Sequence, residues 1–479
     1  MHRREFIYSL AAVPLALQAR PQLPFASASE IARGIRSKQI SSLEAVEACL
    51  ARIAQVNPKI NALVRSAADA ARAEARAADR DLAAGRSRGP LHGVPVSIKD
   101  SLDTAGIIST AGTTGWATRV PTRDATVVAR LRAAGAILLG KTNTPEFTLS
   151  DETDNLVYGR TNNPYDVTRT PGGSSGGATA LVAAGGSPLD LGSDTGNSIR
   201  MPSHFCGVAG IKPTSGRVPR TGHAISWAGP LESWTQIGPI ARYVDDLILV
   251  LPIISGPDGV DPHIAPVPLQ DPARVTIRGL RVAIHVNNGL VTPTPATQEV
   301  VRASGRVLTT RGARVEERTP PGLAESFEIA GQLQFADGGA WVLRLMQAAG
   351  TRGFGSMPWL AGAQRRSPAD VGRIIEEMDN VRSRLLAFMQ NTDIILCPVH
   401  PTPAVPHGGS DAPEFGRGDS YSVAFNVTGW PAATVRAGTS PEGLPIGVQI
   451  VGKPWREDQV LAVAKVIEAE LGGWKRPSI

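Results

Sequence analysis

Two glycine-rich loops, each carrying a serine, constrain this chain more than any other feature of its sequence. The first loop is PGGSSGG, residues 171–177, and the second lies within GSDTGNSIRMPSHFCGVAG, residues 192–210. Glycines allow backbone conformations that other residues avoid, and they let the main chain approach another group closely. A serine among glycines is usually part of a simple turn. The two loops therefore indicate a function only in combination with a third segment.

The third segment is GVPVSIKD, residues 93–100, in which an alternating apolar run ends at Lys99. This pattern predicts a strand that carries Lys99 into the protein. A serine hydroxyl is a poor nucleophile unless a base removes its proton. The one histidine beside the serine loops, His204, is no obvious base. Burial in an apolar surround lowers the pKa of a lysine, so a buried, neutral Lys99 is a possible base.

Together, the three segments resemble the amidase signature family, the serine hydrolases that use a Ser, cis-Ser, Lys triad. The resemblance implies that Ser198 is the acylated nucleophile and that Ser174 bridges it to Lys99. It implies that Lys99 acts first as general base and then as general acid. It also implies a cis peptide bond between Gly173 and Ser174.

The second loop also offers backbone N–H groups, which in such a turn can hold an oxyanion. The resemblance assigns the oxyanion hole to the backbone N–H groups of Thr195, Gly196, Asn197 and Ser198. It assigns supporting roles around the site to Ser175, Asp194 and Arg200. The family usually has Gly-Gly-Ser where this chain has Gly196-Asn197-Ser198. The backbone N–H at 197 is retained, and Asn tolerates left-handed backbone best among non-glycine residues. We expect Asn197 to affect substrate range more than catalysis.

The rest of the chain predicts an α/β fold. Short apolar strands at Val94–Lys99, Ala136–Gly140 and Leu189–Gly192 alternate with helices, one of them capped by Asp124. This alternation is typical of a sheet with helices on both faces. The resemblance specifies the amidase signature fold, an α/β/α sandwich with a central mixed β-sheet flanked by helices. Upstream, a capping box at residues 41–44 starts a helix that we expect to stop before a proline at position 58.

The resemblance returns near the C-terminus. The segments FNVTGWPAATV, residues 425–435, and GLPIGVQIVG, residues 443–452, are similar to the closing strand pair of the family. No residue of either segment receives a role in the site at this stage.

The substrate pocket is predicted less sharply than the catalytic residues. The segment NTPEFTLSD, residues 143–151, resembles the family segment that lines the site, and Thr148 and Ser150 are candidate pocket residues. A surface loop is the competing interpretation. Residues from about 257 to 390 match the family least, and the resemblance implies that this variable half shapes the pocket. Its candidate lining residues, for each of which ordinary packing is the better interpretation, are Trp341, Met346, Met357 and Trp359.

The N-terminus resembles an export signal. Arg3-Arg4 precede an apolar stretch at residues 7–17, and Ala26-Ser27-Ala28 offers a small-residue cleavage site. Paired arginines before a moderate apolar region are typical of a twin-arginine signal. We therefore expect residues 1–28 to be a signal peptide, residues 29–479 to be one amidase signature domain, and the protein to be exported to the periplasm. The alternative is an ordinary amphipathic N-terminus on a cytoplasmic protein.

Composition excludes several classes of protein. The chain has 479 residues, of which 42% are hydrophobic and 5% aromatic, and a net charge of +6. No internal apolar run reaches the roughly 18 residues of a membrane span. Scattered positive charges and few aromatics argue against a nucleic-acid surface. The three cysteines are widely spaced and the histidines lack ligand spacing. We predict no metal, no cofactor, no nucleic acid, no stable membrane insertion, and a monomer or homodimer.

These observations predict a serine-type amidohydrolase that cleaves amide C–N bonds through an acyl-enzyme on Ser198. Its substrate would be a small amide or carbamate, with esters as a side activity. Two alternatives remain open at this stage. One is the glutaminase subunit of a tRNA-dependent amidotransferase, which belongs to the same family. The other is a non-catalytic binding protein on an amidase scaffold, permitted by Asn197.

Overall fold

The computed structural model describes residues 22–225, 229–410, 412 and 415–479. The strands of this part of the chain are β1 (Leu63–Ser66), β2 (Pro95–Lys99), β3 (Ile137–Thr142), β4 (Leu189–Asp194), β5 (Ala209–Lys212), β6 (Gln236–Ala241), β7 (Arg281–Ile284), β8 (Arg314–Glu317), β9 (Ile394–Pro398), β10 (Ala432–Thr439) and β11 (Pro445–Gly452). Its α-helices are α1 (Ala28–Arg36), α2 (Ser42–Ile60), α3 (Ala68–Ala83), α4 (Thr126–Ala133), α5 (Gly176–Ala183), α6 (Arg200–Phe205), α7 (Val244–Ile254), α8 (Pro295–Thr310), α9 (Leu323–Gln334), α10 (Ala340–Ala349), α11 (Pro368–Phe388), α12 (Ala424–Val427) and α13 (Glu457–Leu471).

The main sheet has eight strands in the order β4-β6-β5-β10-β11-β9-β7-β8. Strands β9, β7 and β8 pair in parallel, whereas the other neighbours pair antiparallel. Both faces are covered, as β9 shows. Ile394 and Leu396 join one apolar core and the alternate residues Ile395 and Cys397 join another. This mixed sheet between two helical layers confirms the predicted fold class.

A smaller sheet carries Lys99. Its three strands lie in the order β1-β3-β2, and β2 runs parallel to β3. All of β2 is buried, so Lys99 at its end enters the protein as the sequence predicts. The sheet is tied to the main sheet by the Ser97 hydroxyl, which donates to Asp190 on β4 at 2.5 Å. This contact holds the strand of Lys99 beside the strand that leads to the second serine loop.

Two local predictions were wrong. Helix α2 does not stop before Pro58; it continues to Ile60, and Asn61 ends it in the left-handed region with φ 46°. The Asn57 side-chain oxygen accepts the backbone N–H groups of Ala62 and Leu63, which secures the exit of the chain. A proline in the last turn is thus tolerated, because the turn is closed by side-chain bonds.

The second wrong prediction concerns the start of α4. Asp124 does not cap this helix, because Ala125 occupies the N-cap position without a side-chain bond. The Asp124 carboxylate instead accepts the backbone N–H of Ala105 at 2.7 Å. A long-range contact therefore replaces the local cap that the sequence favoured.

The segment before α1 packs into the fold. The Arg242 guanidinium donates to the Ala26 carbonyl at 2.6 Å, and the Ala28 N–H donates to the Asp246 carboxylate at 2.9 Å. Ser27 forms a capping box with Glu30. The predicted paired arginines lie outside the described residues, while the predicted cleavage site lies inside this packed segment. Among the described residues, no helix is long and apolar enough to cross a membrane.

Candidate active site

Lys99 lies at the centre of a buried cluster of hydroxyl groups. Its side chain is fully buried, and Nζ lies 2.7 Å from the Ser174 Oγ, 2.9 Å from the Ser175 Oγ and 3.0 Å from the Ser193 Oγ. Burial lowers the pKa of Lys99 well below its usual range, and the carboxylates of Asp194 and Asp190 only partly oppose this effect. A lysine held in this way can be neutral at working pH and can accept a proton from Ser174.

The first serine loop brings Ser174 to the lysine. The peptide bond between Gly173 and Ser174 is cis. Position 173 has no room for a side chain, because an added Cβ would lie 2.5 Å from the Ser150 carbonyl oxygen. Helix α5 begins at Gly176, within the loop, and is buried along its whole length. The loop is therefore fixed on one side by α5 and on the other by the segment that ends at Asp151.

The second serine loop meets the first at the nucleophile. Ser198 is 7% exposed, and its carbonyl oxygen accepts the backbone N–H of Ser175 at 3.2 Å. Asn197 is not among the residues with positive φ, so this position does not require glycine for its backbone conformation. The Asn197 side-chain amide lies 3.8 Å from the Met201 sulfur. This contact places the amide on the Met201 side of the loop.

A buried ion pair supports the second loop. The Asp194 carboxylate binds the Arg200 guanidinium at 2.9 Å, and both side chains are fully buried. The same carboxylate accepts the backbone N–H of Ile199 at 3.1 Å. Burial acts to raise the pKa of Asp194, but the Arg200 charge and its hydrogen bonds outweigh burial and lower the pKa to about 2. The loop that contains Ser198 is thus anchored at both ends.

Two residues of the C-terminal part complete this anchor, and sequence reasoning missed both. Asn426 donates to the Asp194 carboxylate at 2.9 Å and accepts from the Arg200 guanidinium. Gln449 on β11 accepts from Arg200 at 2.7 Å. Both lie in the two segments that resemble the closing strand pair of the family. Only the tertiary fold reveals that they converge on the ion pair.

The backbone N–H groups of the second loop divide into two sets. Those of Ile199 and Arg200 are directed at the Asp194 carboxylate. The N–H groups predicted to hold the oxyanion, residues 195–198, precede them in the same turn. Both ring nitrogens of His204 have backbone partners: one accepts the Gly447 N–H and the other contacts the Thr402 carbonyl oxygen. His204 is therefore not placed as a base for Ser198.

The predicted pocket residues differ in their surroundings. Thr148 is buried, has φ 63°, and its Oγ1 has no hydrogen-bond partner. Ser150 is exposed, and its hydroxyl accepts the Glu152 backbone N–H at 3.2 Å. Thr148 is thus the better candidate to contact a substrate.

Four further pocket candidates lie in the variable half. Trp341, Met346 and Met357 are buried in an apolar cluster, and Trp359 is 40% exposed.

An acidic pair lies near the first serine loop and was also missed. The Asp151 backbone packs against Gly173. The charge of the Asp151 carboxylate acts on the carboxyl group of Asp419. Burial, and then the neighbouring Asp151 carboxylate, raise the pKa of Asp419 to about 8. The neighbouring Asp151 carboxylate therefore disfavours ionisation of Asp419. The two residues are distant in sequence and carry no shared motif.

Comparison with known proteins agrees with the geometry. The family model described as Amidase matches residues 44–461. The A-type subunit of the glutamyl-tRNA(Gln) amidotransferase from Roseiflexus sp. (strain RS-1) is 37% identical over 464 residues, which cover 91% of this chain and 94% of the relative.

Two solved structures show the same fold over nearly the whole chain. A 6-aminohexanoate cyclic dimer hydrolase has a TM-score of 0.85 at 28% identity, covering 95% of this chain and 99% of the other. The A-type subunit of the glutamyl-tRNA(Gln) amidotransferase from Thermotoga maritima has a TM-score of 0.78 at 26% identity. The match covers 95% of this chain and 98% of the other. The family match, the relative and the shared fold lead to one conclusion: this chain belongs to the amidase signature family of hydrolases that act on C–N bonds.

Proposed function

We propose that this chain hydrolyses amide C–N bonds through an acyl-enzyme on Ser198. Ser198 Oγ attacks the carbonyl carbon while its proton passes to Ser174 Oγ and the Ser174 proton passes to Lys99 Nζ. The negative oxygen of the tetrahedral intermediate is held by the backbone N–H groups at residues 195–198. The C–N bond breaks as the lysine proton returns along Ser174 to the leaving amine.

Water then hydrolyses the acyl-enzyme by the same proton relay. It attacks the acyl ester and gives its proton through Ser174 to Lys99. Ser198 Oγ then leaves the tetrahedral intermediate and recovers a proton from the lysine. The observation that carries this proposal is the 2.7 Å contact between a fully buried Lys99 Nζ and the Ser174 Oγ.

The first test compares one chromogenic amine released from an anilide and from the matching carbamate. Ser198→Ala should abolish release, and Ser203→Ala is the matched control. Ser203 is a buried serine on α6 whose hydroxyl has no hydrogen-bond partner. Ser203→Ala should keep the wild-type rate, and release retained by Ser198→Ala would remove Ser198 from the mechanism. Release from both substrates would support an amidase with urethanase capacity, and release from the anilide alone would make Asn197 the residue to examine.

A second candidate function is the glutaminase subunit of a tRNA-dependent amidotransferase. The identity of 37% to an amidotransferase subunit of this kind favours it over the general amidase, although the cyclic dimer hydrolase has the higher TM-score. The neighbouring carboxyl groups of Asp151 and Asp419 also favour it, because carboxylates can bind a protonated amino group such as that of glutamine.

Ammonia release from glutamine separates the two candidates. If glutamine is the substrate, Asp419→Asn should raise the KM for glutamine and leave anilide hydrolysis nearly unchanged. The assay is run with the chain alone and with the partner subunits of an amidotransferase. Hydrolysis of the anilide without ammonia release in either setting would favour a small-amide hydrolase.

Export of the protein is a separate proposal. It rests on the paired arginines and the apolar stretch of the N-terminus. A cut after Ala28 would remove the Ala26 carbonyl that accepts from Arg242 and the capping box that Ser27 forms with Glu30. N-terminal sequencing of the protein from periplasmic and cytoplasmic fractions tests both points. An intact N-terminus in the cytoplasm would contradict export and favour the amidotransferase alternative.

A further inference from the structure

A buried histidine contacts the hydroxyl cluster through Ser193. His223 Nε2 lies 2.9 Å from the Ser193 Oγ, which in turn lies 3.0 Å from Lys99 Nζ. The same nitrogen lies 3.1 Å from the Ser101 Oγ. All four side chains are buried. The histidine therefore reaches the lysine through one hydroxyl group.

The backbone around His223 is fixed to the segment that follows the catalytic lysine. Leu102 and His223 form an antiparallel bridge. The Ala224 N–H donates to the Ser101 carbonyl at 2.8 Å, and the Asp103 N–H donates to the Gly222 carbonyl at 2.9 Å. The imidazole thus has a defined position relative to the strand of Lys99.

The hydrogen bonds of a neutral lysine limit what its neighbours can do. A neutral amine has two N–H groups and one lone pair, and the lone pair must face Ser174 for Lys99 to act as its base. Both N–H groups then point to Ser175 and Ser193. Ser175 fits the role of acceptor, because its own proton is directed to the Ser193 carbonyl oxygen at 3.2 Å.

The tautomer of His223 determines whether the Ser193 Oγ accepts a hydrogen bond from the ring. The Ile225 backbone N–H donates to Nδ1 at 3.3 Å, which places the ring proton on Nε2. The Nε2–H group then donates to the Ser193 Oγ and, less closely, to the Ser101 Oγ. An oxygen that already accepts one hydrogen bond is a poorer acceptor for the Lys99 ammonium.

We propose that His223 is a positioning residue for the lysine base: its Nε2–H donates to Ser193 Oγ, weakens that oxygen as an acceptor for the charged lysine, and so favours the neutral amine. This inference rests on the proposed function. It adds a residue that supports the relay and lies outside the three signature segments.

The charges around these groups fit this role. Burial lowers the pKa of His223 well below its usual range, and Arg220 and, when it is protonated, Lys99 lower it further, so the ring stays neutral in either state of Lys99. On the other side, Asp194 and Asp190 face Lys99 and favour its charged form. The His223 donor opposes these two carboxylates without adding a charge.

The experiment measures how fast a fluorophosphonate labels Ser198 at each pH, which needs no knowledge of the natural substrate. On the acid side, the labelling rate falls as Lys99 becomes protonated, and we call this part of the pH profile the acid limb. His223→Leu removes the donor and should move the midpoint of the acid limb to higher pH, by about 0.5–1 pH unit for one hydrogen bond. His223→Gln restores a donor at the same place and should restore the limb. Ser193→Ala removes an acceptor of the ammonium and should move the limb to lower pH.

Opposite shifts in His223→Leu and Ser193→Ala are the result expected. A lower plateau with an unmoved limb, or shifts in the same direction, would overturn the role of His223. His223→Asn, whose side chain is too short to reach Ser193, replaces His223→Leu if the latter fails to fold. A wild-type protein that is not labelled at Ser198 at any pH would instead overturn the proposed function and this inference with it.

Discussion

The two sides of Ser174 are built in opposite ways. On the base side, Lys99 has three hydroxyl partners and the Asp194–Arg200 pair is closed by further side chains. On the side where we propose that the substrate binds, called the substrate side below, the segment 143–151 holds buried polar atoms without hydrogen-bond partners. They are the Thr144 Oγ1, the Glu146 Oε1 and the Thr148 Oγ1.

The two sides differ in whether these polar side chains have hydrogen-bond partners within the protein. Buried polar groups are normally paired, and the exceptions call for a reason. In the same segment Phe147 and Thr148 both have positive φ, a conformation that persists only where the surroundings impose it. We infer that Lys99 and the Asp194–Arg200 pair are preorganised for proton transfer.

The largest effect is expected on the base side. Lys99→Met keeps the volume of the side chain and removes the base, so kcat should fall by about 10²–10⁴-fold. Stability should be retained, because no buried charge is left without a partner. Steady-state rates on the anilide, together with thermal unfolding, check both parts. An unchanged rate at neutral pH would exclude the relay.

The anchor of the second loop should show the next largest effect, and here stability changes first. Asp194→Asn leaves the Arg200 charge buried without its ion pair, which typically costs about 3–5 kcal/mol. Because the folded pKa of Asp194 is about 2 against an ordinary 3.8, its stabilising effect is complete above the ordinary value and is lost as pH falls toward 2. Denaturant unfolding at several pH values measures this. A variant as stable as wild type at neutral pH would contradict it.

The pH dependence of the rate sharpens the comparison further. Because the base must be neutral, kcat/KM should rise with pH through the lowered pKa of Lys99 and then level off. A rate profile on the anilide with wild type provides the measurement. A maximum in acid would contradict a lysine base.

The smallest effect is expected on the substrate side. Thr148→Val removes a hydroxyl that has no partner, so the free energy of unfolding should hardly change. The KM should rise by about 3–10-fold if the hydroxyl contacts the substrate. Ser150→Ala, at the exposed end of the same segment, is the control and should leave KM unchanged. Equal KM values in all three proteins would remove Thr148 from the pocket.

The same comparison explains how much could be predicted from the sequence. The base side was accessible because Lys99, Ser174 and Ser198 each lie in a local pattern of glycines or apolar residues. His223, Asn426 and Asp419 were missed because long-range contacts, not spacing, bring them to the site. The helices α9 and α10 of the variable half were missed for a different reason. They begin after Gly322 and Gly339, which are left-handed and form no side-chain cap, so the usual start signal is absent.

The central claim is that Ser198 is acylated by way of Ser174 and Lys99. Peptide mapping by mass spectrometry after rapid quenching with an activated ester tests it most directly. The account predicts one acyl group, carried by Ser198 in the wild type and formed orders of magnitude more slowly in Lys99→Met. An acyl group on Ser174 or elsewhere, or acylation of Ser198 at an undiminished rate without the lysine, would contradict it.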